Sequence, residues 1–503
     1  MEISPAFDAF APRYTGGKPV LVWTSLVADL ETPVSAMLKL AAGKPMSFLF
    51  ESVEGGERIG RYSIIGLKPD LIWRCFRDEA QLNRGARDND RFESKPGGAL
   101  ASLRALIAEC RVETPAPLPP MAAGLFGYLG YSTVGLIEKL PDVNPDTLGI
   151  PDGMLVRPTI ICIFDNVLDN VTVVTPVWPG AASARAAYEQ ACERLAEVLG
   201  DFERDLPQRR AAEEAIETLP PPEANMTREQ CLAMVETAKE YIRAGELFQV
   251  VPSMPLIVPF RQPPFALYRA LRRLNPSPFM FFLDYGAFAV VGSSPEIMVR
   301  LRDGNLSIRP LAGTRRRGKD QAEDEALATE LLADPKERAE HLMLLDLARN
   351  DVGRVAQIGT VRVAEQFVIE RYSHVMHICS HVEGKIDPRY DALDALLAGF
   401  PAGTLSGAPK VRAMEIIDEL EPERRNLYGG AIGYFAGDGS MDTCIVLRTA
   451  VLKDQKMVVQ AGCGVVADSN PASEHQEIHD KARALFRAAE EAVRFAQLGR
   501  RQN

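Results

Sequence analysis

Two stretches of the chain carry glutamates three residues apart, the spacing that sets two carboxylates on one face of a helix. They are Glu337 and Glu340, in a segment opened by Asp334-Pro335, and Glu474 and Glu477, in one opened by Asn470-Pro471. Asp334 with Glu337 also reads as a helix cap, and Glu474 as a first-turn acid favoured by the macrodipole. Glu340 and Glu477 lie one step deeper, where neither explanation reaches. Carboxylates from two helices, with few histidines near, suit a hard cation such as Mg²⁺, which takes one or two protein carboxylates and leaves its other positions to water and substrate. Glu296 ends the run Gly292-Ser293-Ser294-Pro295-Glu296. It is either a surface residue or, where its surroundings keep it protonated, an acid catalyst. His374, His377 and His381 share one extended stretch. No cysteine or acid completes a tetrahedral zinc set there, which leaves a single catalytic or packed histidine.

Other features suggest contacts to anions. Gly403-Thr404-Leu405-Ser406-Gly407-Ala408-Pro409-Lys410 is a glycine-rich loop feeding Val411, Met414 and Ile417 at helical spacing. Free N–H groups at such a helix start can face an anion, or the loop can be purely structural. Its spacing is not that of a P-loop. Gly462-Cys463-Gly464 opens a G-x-G-x-x-A match, but helix follows where a dinucleotide site needs a second strand with a terminal acid. Those glycines better serve close approach of backbone to a ligand. Arg315-Arg316-Arg317 reads as a phosphate contact or a solvated loop.

The elements that must position these groups read as α+β. Short branched and aromatic runs at 21–27, 47–53, 61–67 and 71–76 alternate with Gly- and Pro-bearing turns. Tyr188, Cys192, Leu195 and Leu199 form one helical stripe. Thr227 with Gln230 is a capping box, followed by Cys231, Val235, Ala238 and Ile242 on one face and a stop at Gly245. Further strands are expected at 248–251, 280–283, 287–292, 297–301, 306–311, 428–435, 444–452 and 457–466, with a hairpin at Asp303-Gly304. Helices are expected at 320–351 and 471–497. Tight turns between consecutive strands mean antiparallel pairing, so the expected fold is two packed, mainly antiparallel β-sheets flanked by helices. Residues 1–215 read as a β-rich half, 216–226 as a linker and 227–503 as a catalytic half, with strands interleaved between the two.

Composition narrows the function classes. A chain of 503 residues buries its core without staples. Its net charge of −11 argues against a nucleic-acid or anionic-membrane partner. Eight cysteines without a C-x-x-C pair argue against a secreted disulfide scaffold. No apolar run reaches the roughly 18 residues of a membrane span, and the start Met1-Glu2-Ile3-Ser4-Pro5 lacks a signal-type stretch, so a cytoplasmic protein is expected.

Taken jointly, several stretches resemble the chorismate-utilising enzyme family, in its anthranilate synthase large-subunit branch, across residues 45–490. They are Asn275-Pro276-Ser277-Pro278, 292–296, Arg309-Pro310-Leu311-Ala312-Gly313-Thr314, 337–354, 374–384, 400–410, 428–434, 442–449 and 460–481. The resemblance implies Mg²⁺-dependent amination of chorismate at C2 by ammonia, loss of the C4 hydroxyl, then elimination of pyruvate to anthranilate, the first step of tryptophan biosynthesis. It implies Glu340 and Glu477 as Mg²⁺ ligands, with Glu337 and Glu474 beside them. Glu296 matches the acid that protonates the departing hydroxyl, His377 the histidine of pyruvate loss, and Thr404 a catalytic positioning group. Gly313, Thr314, Tyr428, Arg448, Gly462 and Gly464 match substrate contacts. Para-aminating relatives carry a lysine where Ala312 stands, and water-using relatives one where Gln249 stands; a methyl and an amide there imply ortho amination.

The resemblance further implies that ammonia comes from a separate glutamine amidotransferase subunit, in a heterotetramer, with free ammonia as substitute. No stretch remains for a Cys/His/Glu hydrolase. Leu49-Phe50-Glu51-Ser52 and Gly60-Arg61-Tyr62-Ser63 are similar to the family's tryptophan-feedback segments, completed by Asn275, Pro276, Ser277, Pro278, Phe279 and Met280. Core packing is the other reading of Leu49 and Phe50. Three competing functions are an enzyme that stops at 2-amino-2-deoxyisochorismate, an inactive binding subunit and a nucleotide oxidoreductase. His377, the intact acids with Arg448, and the failed glycine match argue against them in turn.

Overall fold

A computed structural model describes residues 2–41, 43–54, 58–206, 218–372 and 375–501, with backbone alone at 53–54, 58–59 and 497–501. His374 and the start of the expected linker lie outside these residues.

Successive side chains on a strand face opposite ways, and the partners each side finds sort the strands into layers. On Val20–Val27, Ser47–Glu54 and Phe279–Asp284, the residues Leu21, Phe48 and Phe281 join one core with Phe126, Ile432, Tyr434 and Cys444. Their neighbours Val22, Leu49 and Phe282 turn to a second core, shared with helices. Gly124–Leu129 and Ala431–Ala436 also feed the first core, through Phe126 and Ile432, but send Leu125 and Phe435 to a third core under other helices. The order is therefore helices, sheet face, sheet-to-sheet core, sheet face, helices. The strand pairings are antiparallel. This is the expected α+β class.

The two faces form one hydrogen-bonded network, because long strands pass from one to the other. Arg58–Phe76 starts with Ile65 against the first helical layer and ends with Leu71 and Trp73 against the second. Gly153–Asp165 runs alongside it, from Leu155 to Ile160. The crossing point falls where Pro69 faces Pro158 and the register slips before Leu71. Prolines cannot donate to the ladder, and such a break lets a strand bend. The two short strands expected at 61–67 and 71–76 are thus one. Ser47–Glu54 pairs with Phe279–Asp284, and Gly124–Leu129 with Ala431–Ala436, so distant parts of the chain share each face.

Local signals explain other boundaries. The Thr227 hydroxyl accepts from Gln230 N at 3.3 Å while Gln230 Oε1 accepts from Thr227 N at 2.8 Å, opening Arg228–Arg243. The helical block expected at 320–351 breaks into Gln321–Ala333 and Pro335–Gly353. Asp334 caps the second helix, accepting from Lys336 N at 2.9 Å and Glu337 N at 3.3 Å. The strand expected at 306–311 splits at Arg309-Pro310, and that at 444–452 splits into Met441–Ile445 and Thr449–Lys453. On Ala184–Phe202 the buried face is Ala187, Ala191, Leu195 and Val198; Cys192 and Leu199 only flank it. Among the described residues, no helix is long and apolar enough to cross a membrane.

Candidate active site

The Pro335–Gly353 and Pro471–Arg501 helices bring Glu340 and Glu477 close enough for their charges to act on one another. Burial, and then the charges of Glu337 and Glu477, push the Glu340 carboxyl above its ordinary pKa. Burial does the same for Glu474, helped by Glu477 and opposed by a hydrogen bond from Ser469. Like charges from two helices act on one another only where they converge. Glu340 Oε1 accepts from Gln249 Nε2 at 3.3 Å, and Arg315 engages Glu337 at 3.0 Å. Glu477 pairs with Lys481 at 2.7 Å, and Lys481 Nζ also donates to the Gly462 carbonyl at 2.9 Å. Glu474 Oε2 is buried without a partner among the described residues. Among the described residues no three acids, histidines or cysteines form a finished metal cage. Mutually repelling carboxylates with one orphaned oxygen fit Mg²⁺ nonetheless, since that ion needs only one or two of them beside water and substrate.

Glu296 sits between the strands Ala289–Ser294 and Ile297–Arg302, 7% exposed. Thr404 Oγ1 donates to its Oε1 at 3.1 Å, and the Leu311 amide donates as well. Burial outweighs these donors and the nearby Arg448, raising the carboxyl to about 8. Glu296 is therefore a neutral acid near pH 7, not a surface carboxylate.

His377 lies on Val375–Lys385 with Nδ1 at 3.0 Å from the Gly313 carbonyl and 3.1 Å from Thr314 Oγ1. A carbonyl only accepts, so Nδ1 carries the proton and the Nε2 lone pair is free. Burial, with Arg448 adding to it, lowers this imidazole to about 4, so it is neutral as well. Gly313 turns its carbonyl to His377 through a φ of +70° at a register shift between Ala312 and Thr314. A Cβ there would lie 3.0 Å from Glu337 Oε2 and 3.2 Å from the Leu331 side chain. Side-chain space and left-handed backbone together require glycine.

Arg448 occupies the strand break at a φ of +49°. Among the described residues its guanidinium has no ion pair or hydrogen bond, although Glu296 and Tyr372 are close enough for their charges to act on it. The Tyr428 hydroxyl accepts from the Gly462 amide. Cβ atoms at Gly462 and Gly464 would stand 2.7 Å from the Pro252 carbonyl and 2.8 Å from Gln249 Nε2. The expected metal, catalytic and substrate residues thus meet in one place. Lys481 acts electrostatically on Glu296, Glu340, His377 and Glu474 together. The i, i+4 spacing from Glu477 signals the Glu477–Lys481 ion pair, but the reach to Glu296 and His377 comes from the fold.

Other motifs resolve differently. Arg315 is bound by Glu330, Asp334 and Glu337, Arg316 by Glu323 and Arg317 by Asp324, so this run is a set of ion pairs, neither a phosphate contact nor a solvated loop. His381 lies beside Arg309, Glu383 and Glu365, not with His377 on an ion. In the glycine-rich loop Lys410 Nζ is taken by Asp351 at 2.9 Å, and Val411 is exposed while Met414 and Ile417 are buried. The strand entering Gly462-Cys463-Gly464 pairs antiparallel with both neighbours, which is not a dinucleotide-binding unit.

A cavity of about 1030 Å³ lies beside the Glu296 segment: Pro295 and Ile297 line it, and Glu296 between them does not. Of the expected tryptophan-site residues, Glu51, Ser52, Pro278, Phe279 and Met280 line this cavity. Asn275, Pro276 and Ser277 do not; Asn275 O instead accepts from Ser293 Oγ at 2.5 Å. The Glu51 carboxylate is held by Arg272 at 2.7 and 2.9 Å and by the Tyr268 hydroxyl. Tyr434, Asp442 and Cys444 complete the wall, brought there by long-range pairing that no local pattern shows. Asp442 Oδ2 accepts from Arg300 and Arg302, both at 2.9 Å, and its Oδ1 is buried without a partner among the described residues.

A profile of the chorismate binding enzymes matches residues 68–487. The chain is 58% identical over 493 residues to anthranilate synthase component 1 of Cereibacter sphaeroides, covering 98% of each. It is 48% identical over 474 residues to the protein of that name from Pseudomonas aeruginosa, covering 93% of this chain and 95% of the other. The crystal structure of anthranilate synthase component I from Streptococcus pneumoniae superposes with a TM-score of 0.75 at 34% identity, covering 85% of this chain and 92% of that one. On the family profile and on these relatives, the chain belongs to the chorismate binding enzymes, in the anthranilate synthase component 1 group of lyases.

Proposed function

We propose that the chain aminates chorismate at C2 with ammonia, expels the C4 hydroxyl as water and eliminates pyruvate to leave anthranilate. The observation that carries this reading is the Arg448 guanidinium, without a partner among the described residues, beside a protonated Glu296. A planar fork without a partner suits a substrate carboxylate, and a neutral carboxylic acid next to it can deliver a proton to a departing hydroxyl. Tyr428 and the bare backbone of Gly462 and Gly464 let that carboxylate approach closely. Glu340 and Glu477 would hold Mg²⁺, with Glu337 and Glu474 adjacent; when bound, the ion supplies positive charge for the second carboxylate and draws electron density from the ring. Thr404, donating to Glu296 Oε1, keeps the acid's orientation fixed. His377 Nε2 accepts the ring proton at C2 as the C3–O bond breaks, and pyruvate leaves with the electron pair of that bond. Ala312 and Gln249 offer no amine, so neither a covalent lysine nor a lysine-activated water competes with ammonia.

Ammonia comes from a separate glutamine amidotransferase chain in a heterotetramer, and free ammonia substitutes for it. In support, burial raises the thiol pKa of all eight cysteines, which leaves none activated as a glutaminase nucleophile. Tryptophan occupies the cavity beside the Glu296 segment as feedback inhibitor, with the orphaned Asp442 Oδ1 available to an ammonium group. Ser52→Phe, which fills one wall, is expected to raise the inhibitory tryptophan concentration by roughly tenfold or more, from about 1–3 kcal/mol of overpacking, with turnover retained. Unchanged inhibition would move the inhibitor elsewhere. The reaction itself is tested by giving the purified chain chorismate, Mg²⁺ and ammonium. Anthranilate fluorescence and pyruvate should rise in equal amounts and vanish with EDTA, whereas an aminated product without pyruvate would refute the second half of the reaction.

A further inference from the structure

Of the chain's six histidines, two that stand outside the chemistry above lie next to one another. His475 and His479 lie one turn apart on the Pro471–Arg501 helix, and their rings approach to 4.7 Å between centroids at an angle of 56°. At 3.6 residues per turn this pair projects well over 90° around the helix from Glu474, Glu477 and Lys481, so it belongs to a different face from the carboxylate centre. Both histidines are half-buried. His341 and His377 bond to Ser380 and to Gly313, but among the described residues neither ring of this pair has a hydrogen-bond partner. Arg228 and Glu229, at the start of the Arg228–Arg243 helix, are close enough for their charges to act on His475.

We infer that His475 and His479 chelate a borderline divalent cation of the zinc, nickel and copper class. Imidazoles four residues apart on a helix can bind one ion through two nitrogens. Neutral imidazole favours this class of ion, whereas Mg²⁺ and Ca²⁺ prefer oxygen. The described residues place no third ligand beside the pair, so water fills the remaining positions. Because the second nitrogen binds intramolecularly once the first has bound, most of the affinity depends on both rings being present. Occupancy would brace the first turns of the helix that also carries Glu474 and Glu477.

The test is calorimetric titration of the full chain with Zn²⁺ alone, in buffer holding saturating Mg²⁺. One zinc site is expected. His475→Gln and His479→Gln should each weaken it by roughly tenfold or more, and the double variant should lose little beyond either single one. Both single variants should keep the wild-type melting temperature and chorismate turnover, showing an intact fold. Glu477→Gln should leave Zn²⁺ affinity unchanged. Absence of zinc binding, wild-type affinity in either histidine variant, or loss of affinity in Glu477→Gln would overturn the assignment.

Discussion

Glu296→Gln is expected to lower kcat by about 10²–10⁴, the usual contribution of a positioned general acid, while KM for chorismate changes little. Glutamine keeps the size of the side chain, and its amide oxygen can still accept from Thr404 Oγ1, so packing is preserved. What it lacks is a transferable proton. The pH profile supplies a second readout. Glu296 is active in its acid form, raised to about 8, so wild-type turnover falls as pH rises through 8. His377 is active as the neutral base, lowered to about 4, so turnover falls as pH drops through 4. The variant's small residual rate should lose the upper limb and keep the lower one. Steady-state anthranilate fluorescence across that range checks both points, and a variant with wild-type kcat would place the acid elsewhere.

Arg448→Gln is expected to cost roughly 10² to 10³ in kcat/KM. Removing one partner of a buried, hydrogen-bonded charge pair typically costs about 2–5 kcal/mol. In the free enzyme the guanidinium has no partner among the described residues, so the substitution breaks no ion pair and leaves no orphaned acid behind. The loss should therefore appear with chorismate and not in thermal stability. Melting temperature beside kcat/KM separates the two, and a variant that melts early with near-normal kcat/KM would make Arg448 structural.

Much of this site was legible in the sequence because its chemistry sits in short motifs. The paired glutamates, the Gly313-Thr314 step and the Gly462-Cys463-Gly464 run each keep their members within a few residues, so their spacing survives without knowledge of the fold. The Thr227–Gln230 cap and the Asp303-Gly304 turn were readable for the same reason. What could not be read depends on distant pairing. Tyr434 and Asp442 reach the cavity only because Ala431–Ala436 lies between Gly124–Leu129 and Met441–Ile445. The break at Arg448 is invisible to a propensity argument, since Val446 and Leu447 favour a continuous strand and the left-handed residue is an arginine, not a glycine. Asn275, Pro276 and Ser277 are expected at the cavity from their motif but do not line it, and the Asn275 carbonyl accepts from Ser293 Oγ instead. The three arginines at 315–317 looked solvated because the acids that neutralise them lie on later helices.

The central claim is that carboxylates from two helices remote in sequence hold one divalent ion against the substrate. Electron paramagnetic resonance of Mn²⁺, added in place of Mg²⁺ with chorismate present and ammonia withheld, measures this directly. One bound ion per chain is expected in the wild type, and its signal should be lost in both Glu340→Gln and Glu477→Gln. Undiminished Mn²⁺ binding in either variant would show that the two helices do not share an ion, and the account would fail.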